Sequence, residues 1–292
     1  QLATLMVGRP VVLRVERQPH EPGQPIIELE HVSVETEDNR HQVHDASLSV
    51  RAGEIVALTG VAGNGQRSLV EALFGLRSVT SGQITILGRD LRKCGPRDLV
   101  RLNLGRIPED RQTMGLAMPL SVRENLALEV FRQGLYCRAG VLKQNAITEL
   151  AKRLGNEYDI RMPSAQVPAS TLSGGNQQKV ILARVMHRLP PAVVAADPTR
   201  GLDVGATEFV YRQLLAARDR GVAVLLFSTD LEEVLCLSDR IAVIHNGEIM
   251  GVVPTEEAQE TQLGLMMAGT RLEDLPDELK PRAFFVDCSS RA

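Results

Sequence analysis

Gly60-Val61-Ala62-Gly63-Asn64-Gly65-Gln66-Arg67-Ser68 follows the apolar run Glu54-Ile55-Val56-Ala57-Leu58 and precedes Leu69-Val70-Glu71-Ala72-Leu73-Phe74. That order predicts a strand, a phosphate-holding loop and a helix. The loop pattern that cradles a nucleoside triphosphate is GxxxxGK[ST]. Gly60 and Gly65 fit it, while Gln66 and Arg67 stand where Lys and Ser or Thr belong. A helix start offers unpaired backbone N–H groups and a positive dipole end, which hold phosphate without any side chain. Gly63, Asn64, Gly65, Gln66, Arg67 and Ser68 are therefore expected to cradle a diphosphate beyond Gly60, the glycines allowing close approach. A charge-assisted hydrogen bond contributes about 1.5–3 kcal/mol, so Gln for Lys at 66 weakens binding about 10- to 100-fold. The Arg67 guanidinium cannot coordinate Mg²⁺. On this motif alone, a glycine-rich strand-to-helix turn with no ligand is an equal reading.

The rest of the composition narrows the class. A chain of 292 residues holds one large or two small domains. Lys plus Arg is 33 against 36 Asp plus Glu, a formal charge of −3, which argues against nucleic acid as a partner because backbone phosphates need a basic surface. Cys94, Cys137, Cys236 and Cys288 are scattered without CxxC or Cys/His metal spacing, so a reducing compartment is expected and no metal centre. No apolar run approaches the roughly 20 residues that cross a bilayer. The N-terminal stretch does not read as a signal peptide, so a membrane connection is expected through a partner.

Gln1-Leu2-Ala3-Thr4-Leu5-Met6-Val7-Gly8-Arg9 resembles Gln262-Leu263-Gly264-Leu265-Met266-Met267-Ala268-Gly269-Thr270. Both read as short amphipathic segments closed by glycine, as helices often end. If the second ends a domain, the first is expected to end a preceding copy; the alternative is a coincidence between two Leu/Met-rich segments. Pro10 to Pro25 reads as a linker, so residues 1–25 are assigned to the tail of a preceding repeat and its connection. Ile26 to Val34 and Ala46 to Val50 alternate as antiparallel strands do, and Ile55 to Thr59, Ala192 to Ala196 and Val222 to Ser228 read as buried parallel strands. Helices are expected at Ser68 to Phe74, Val122 to Arg132, Ala146 to Gly155, Ser173 to Arg188, Ala206 to Asp219 and Leu231 to Leu237. The helix-rich stretch from about 98 to 188 reads as an inserted helical subdomain, and the polar tail beyond Thr270 as loosely ordered.

Leu172-Ser173-Gly174-Gly175-Asn176-Gln177-Gln178-Lys179 opens a helix with Ser173 as its expected N-cap. Further on comes Ala195-Ala196-Asp197-Pro198-Thr199-Arg200-Gly201-Leu202-Asp203. From these residues the chain is identified as resembling the nucleotide-binding domain of ATP-binding cassette (ABC) proteins. LSGGNQQK resembles the family signature, Pro198 to Asp203 its PTxGLD, and Ser238 to Ile249 its closing strands, in the family's order from about Ile26 to Val252. The resemblance implies an α/β fold: a P-loop NTPase (RecA-like) core with an antiparallel β subdomain and an inserted helical signature subdomain over 26–252, then a C-terminal helix and tail over 253–292. It also implies a head-to-tail dimer, in which Ser173, Gly174 and Gly175 aim a helix N-terminus at a γ-phosphate held by a partner, with Gln177 and Asp197 counted beside them as catalytic residues. The simpler reading of Ser173 is a plain cap, which leaves two glycines in a first helical turn unexplained.

Position by position, the chain's own ATP site departs from the family. In the register set by Pro198, Ala196 falls where the magnesium-binding aspartate belongs and Asp197 where the catalytic glutamate belongs; a one-residue slip would make Asp197 the aspartate. Thr229 takes the switch-histidine position and Glu109 the Q-loop glutamine position, and no Tyr or Phe between Val32 and Ser47 is available to stack on adenine. Asp203 matches the family's D-loop aspartate. SGGNQQK with PTRGLDVGA resembles the second half of tandem sugar and nucleoside importer ATPases, and GVAGNGQ the nucleoside branch.

The resemblance implies Mg-ATP mainly at a composite site with a first-half cassette. The further partners would be permease subunits reached through Glu109 to Leu126 and, indirectly, a substrate-binding protein, with the chain peripheral on the cytoplasmic face of the inner or plasma membrane. Alone, it is expected to be nearly inactive. The alternatives are a catalytically silent regulatory cassette and a non-transport ABC ATPase of translation or DNA repair. The latter would show coiled-coil or zinc insertions and basic surfaces.

Overall fold

The computed structural model describes residues 21–35 and 42–281. The Gln1–Arg9 segment, most of the expected linker and residues 282–292 lie outside the described residues. In chain order the strands are β1 Pro25–Val34, β2 Val43–Arg51, β3 Ile55–Thr59, β4 Ser81–Ile86, β5 Arg89–Asp90, β6 Gly105–Ile107, β7 Cys137–Arg138, β8 Val141–Leu142, β9 Ala192–Ala196, β10 Ala223–Phe227, β11 Arg240–His245 and β12 Glu248–Pro254. The helices are α1 Gln66–Leu73, α2 Pro96–Arg101, α3 Val122–Ala127, α4 Gln144–Glu157, α5 Gly174–Met186, α6 Val204–Asp219, α7 Leu231–Leu237 and α8 Glu260–Met267. They fall into two compact units. One comprises Gly105–Pro190 with Asp197–Leu214, and the other the described residues up to Leu104, Pro191–Ala196 and Leu215 onward.

In the larger unit β1 runs antiparallel to both β2 and β4, with Ile27 opposite Val50 and Ile86, and Leu29 opposite Leu48 and Ile84. Alternate side chains of β1 face the core because strand side chains point to opposite faces. Strand β3 lies parallel between β10 and β11, β9 lies parallel beside β10, and β12 closes antiparallel on β11. Every residue of β3, β9 and β10 is buried, as parallel strands covered on both faces require. Leu58, Leu69, Leu73, Ile84, Leu225 and Ile244 belong to one apolar cluster that joins the antiparallel and parallel strands around α1. This is the expected α/β class, with each expected strand present.

Two ion pairs, each with one buried and one half-buried partner, fix the seam between those strands. Glu54, 2 % exposed, accepts from Arg240 Nε at 2.5 Å and Nη2 at 3.0 Å, and Arg240 Nη2 also donates to the Ser49 carbonyl at 2.7 Å. Asp239 accepts from the Ile55 amide at 2.8 Å and from Arg218 Nε and Nη2 at 2.9 and 2.7 Å. The sheet that carries the glycine-rich loop is thereby held at the start of β3.

The tail departs from expectation. Leu275 is buried, Gln262 Nε2 donates to the Leu279 carbonyl at 2.6 Å, and Arg271 pairs with Glu248, so the chain from Thr270 to Pro281 is packed rather than loose. Its apolar Leu275 and its backbone acceptors find partners despite a polar composition.

In the smaller unit α3 packs on both α4 and α5. Ser121 and Glu124 form a reciprocal capping box, and the buried Asn125 carboxamide binds Ala117 N–H at 2.9 Å and the carbonyls of Ala117, Leu120 and Ser121 at 3.0–3.2 Å. Helix α3 ends at Ala127 rather than near Arg132. Turns follow, and Glu129 there meets Arg188 Nη2 at 2.6 Å and Arg106 Nη2 at 3.7 Å. A continued helical pattern in the sequence is thus overridden by a buried ion cluster.

Candidate functional site

Between β3 and α1 the chain turns through Gly60–Gly65. A Cβ on Gly60 would lie 2.3 Å from the Ile244 carbonyl oxygen, so only glycine lets the loop leave β3 beside β11. Gly65, with φ of +105°, makes the second turn, and a Cβ there would stand 2.9 Å from the Gln42 carbonyl oxygen.

The loop is laced by its own side chains. Gln66 Oε1 accepts from the Asn64 amide at 3.0 Å, and Gln66 Nε2 donates to the Val61 carbonyl at 3.0 Å, as does Asn64 Nδ2 at 2.8 Å. Asn64 Oδ1 accepts from the Asn246 amide at 2.8 Å, which ties the loop to the β11–β12 turn. A neutral carboxamide therefore spans the loop and takes up one of its amide donors. Arg67 Nε pairs with Glu71 at 3.0 Å, and Arg77 Nη2 meets the same carboxylate at 2.7 Å. Burial pushes the Glu71 carboxyl up, but the hydrogen bonds and charges of Arg77 and Arg67 hold it below the ordinary range. Gly63 lies at the exposed loop, and Ser68 is buried in the first turn of α1.

The glycine-rich turn and the helix start are the backbone elements that would meet a phosphate chain. At the two positions the family resemblance assigns to magnesium the side chains do not fit that ion: the Arg67 side chain offers no oxygen and is engaged with Glu71, and that of Ala196 at the end of β9 has no ligand atom.

Thr229 is exposed just beyond β10, which pairs in parallel with β3, so Thr229 and Gly60 follow the carboxyl ends of neighbouring strands. That edge is where open α/β sheets bind ligands. Asp230, next in the chain, caps α7 by accepting from the amides of Glu232 at 2.9 Å and Glu233 at 3.4 Å.

The smaller unit gathers the other group of expected residues. Asp197 takes a left-handed φ of +37°, a conformation Asp tolerates, and its carbonyl accepts from the Arg200 amide at 3.1 Å. Asp203 caps α6 through the Ala206 amide at 2.9 Å. Gly175 packs tightly there: a Cβ on it would stand 3.1 Å from Ala206 Cβ and 3.7 Å from Asp203 Oδ2.

Ser173 holds the N-cap position of α5 by its backbone, but its hydroxyl does not cap the helix as expected. It accepts instead from Asn176 Nδ2 at 3.0 Å and is exposed, so the first amides of α5 keep no side-chain acceptor from the cap. Gln177 is also corrected. It is 3 % exposed, and its Nε2 donates to the Leu172 and Ala169 carbonyls at 3.1 and 3.3 Å, so it braces the turn before α5 rather than facing a ligand.

Glu109 forms an ion pair with Arg200. Arg111, which sequence reasoning passed over, donates from Nη1 to the Arg200 carbonyl at 2.6 Å, and its Nη2 lies 3.7 Å from where a Cβ would sit on either Gly174 or Gly201. The available signal was Glu109-Asp110-Arg111, a cation two residues beyond the Q-loop position.

These features define the ATP-binding cassette class, and residues 43–200 match the family model described as ABC transporter, so the chain belongs to that family. The guanosine import ATP-binding protein NupO of Bacillus subtilis (strain 168) is 45% identical over 270 residues, which is 92% of this chain and 53% of that protein. The nucleoside import ATP-binding protein NupA of Lactococcus lactis subsp. cremoris is 42% identical over 94% of this chain and 54% of its own length. A ribose import ATP-binding protein, RbsA 2 of Rubrobacter xylanophilus, is 37% identical over 93% and 51%. The chain spans about half the length of the curated relatives it matches. Among solved structures, a nucleotide-free ATP-binding cassette superposes with a TM-score of 0.64 at 20% identity, covering 79% of this chain and 92% of that one. A dimeric post-hydrolysis cassette bound to ADP and Pi gives 0.66 at 20%, covering 79% and 99%. At that identity the likeness shows the fold.

Proposed function

We propose that this chain is an ATP-binding cassette of an importer for nucleosides or simple sugars, and that it lends its signature helix to a triphosphate held by a second cassette. One contrast carries the reading. At α5 the helix start is open, with Ser173 exposed and Gly174 and Gly175 beside it, whereas at α1 Gln66 spans the phosphate loop and Arg67 is engaged by Glu71. An open helix start aimed at negative charge stabilises it without reorganisation. A loop without lysine or magnesium ligands binds triphosphate weakly and turns it over little.

In this reading Mg-ATP sits mainly in a composite site, with the lysine and magnesium ligands supplied by the other cassette, and this chain is the second cassette of a tandem pair. In this reading the cassette lies within residues 26–252. Nucleosides or sugars as cargo follow from the names of the relatives. Among the described residues no helix is long and apolar enough to cross a membrane. In the proposed importer the permease would meet the cassette at the cytoplasmic face, and a substrate-binding protein would act through that permease. Met114 and Leu120, 45% and 39% exposed within the Glu109–Leu126 segment, offer the permease an apolar contact.

The test is the steady-state ATPase of the reconstituted pair of cassettes with their permease. Ser173→Ala together with Gly174→Asp is expected to abolish turnover. Unchanged turnover refutes the reading, and a wild-type pair that binds ATP without hydrolysing it favours a silent regulatory cassette.

A further inference from the structure

Arg111 stands at the signature without having been assigned a task. It opens a π-helical turn, Arg111–Gly115, whose first amides are capped by Asp110: Oδ1 accepts from Gln112 at 2.8 Å and Thr113 at 3.1 Å. Such turns are rare and concentrate at functional sites. The Leu116 amide closes on the Arg111 carbonyl at 2.8 Å, so the backbone that launches this side chain is fixed at both ends.

The side chain is then directed by the loop after β9. Nη1 donates to the Arg200 carbonyl at 2.6 Å, which sets the guanidinium plane. Nη2 is left beside Gly174 and Gly201, 3.7 Å from the point a Cβ would occupy on each. Neither glycine has a side chain to cover it. Among the described residues Arg111 makes no ion pair, whereas its neighbour Arg200 is paired with Glu109. Arg200 thus has a carboxylate in direct contact, whereas Arg111 is touched by a carbonyl and feels a carboxylate, that of Asp110, only through its field.

Resting on the proposed function, we propose that Arg111 is a ligand of the triphosphate held by the second cassette, reaching it beside the Ser173–Gly175 helix start. A helix start contributes about half a positive charge, and a guanidinium adds a full one with donors spaced for phosphate oxygens. The bond from Nη1 to a carbonyl leaves Nη2 and Nε for that task. Placed there, Arg111 stabilises the charge on the γ-phosphoryl oxygens, which is what arginine supplies at other phosphoryl-transfer sites.

The experiment measures Mg-ATP turnover of the reconstituted cassette pair and permease with Arg111→Ala, Arg111→Lys and Gly174→Asp, with thermal melting of each isolated chain. Arg111→Ala is expected to lower kcat ten- to hundredfold with less than a threefold change in KM and an unchanged melting midpoint. Arg111→Lys, or guanidinium ion added below denaturing concentration to the Ala variant, is expected to restore part of the rate. Full turnover in Arg111→Ala while Gly174→Asp is dead overturns the role of Arg111 and leaves the proposed function standing. An Ala variant that melts early and is rescued by neither Lys nor guanidinium also overturns it, because Arg111 would then only brace the Arg200 loop. Full turnover in Gly174→Asp refutes the proposed function itself, and the role of Arg111 falls with it.

Discussion

In the proposed reading Gln66 sets what the glycine-rich loop of this chain can hold. Its carboxamide takes the Asn64 amide and reaches the Val61 carbonyl, so replacing it with lysine both releases a backbone donor and adds a charge. Gln66→Lys should tighten ATP binding by the isolated chain about 10- to 100-fold, read by titration calorimetry. No change would mean the loop does not meet the phosphates at all. Gly65 is a matter of backbone rather than charge. With φ of +105° and the Gln42 oxygen 2.9 Å from its Cβ position, Gly65→Ala should destabilise the chain by about 1–3 kcal/mol in urea unfolding. At this scale the sequence was a partial guide. Glycine spacing revealed the loop, because GxxxxG states a backbone requirement. The side chains of Ser173 and Gln177 were misread, because a helix-cap pattern does not say which neighbour a hydroxyl or carboxamide will bond. Arg111 escaped notice because its meaning lies in proximity to Gly174 and Gly201, which are distant in sequence.

Elements in this fold are joined by a few buried charges. Glu54 at the entry to β3 binds Arg240 at the start of β11, and removing one partner strands the other. Glu54→Ala should therefore cost about 1–3 kcal/mol, visible as a lowered urea midpoint, and a change below about 0.5 kcal/mol would contradict this account of the seam. At the end of α5, burial outweighs the bond from His187 Nδ1 to the Ala183 carbonyl, 2.8 Å away, and holds the imidazole below its ordinary pKa. The unfolded chain then takes up the proton first. Stability from this group is complete above about pH 6.5 and is lost as pH falls toward the lower folded value. His187→Gln should flatten that part of the stability–pH curve between about pH 7 and 5, and an unaltered slope would assign it to other groups. The buried strands β3, β9 and β10 were legible because continuous apolar runs admit few alternatives. The end of α3 and the packing of Thr270–Pro281 were not, since both depend on partners far along the chain, Arg106 and Arg188 for Glu129 and Gln262 for Leu279.

For the molecule as a whole, the central claim is an inequality between two helix starts of one chain: α5 offers an open one, and α1 a loop that closes on itself. The motif order made the cassette fold readable, and LSGG with PTRGLD marked the signature, but how well the chain's own loop is filled needed coordinates. The isolated chain should hydrolyse Mg-ATP at a rate near background, and Gln66→Lys alone should not restore turnover because Ala196 still lacks a carboxylate for the metal. The most direct measurement is the number of ADP molecules trapped with vanadate in each reconstituted pair of cassettes. One per pair is the predicted result; two per pair would show that this chain's own loop reaches the reactive state and would contradict the account.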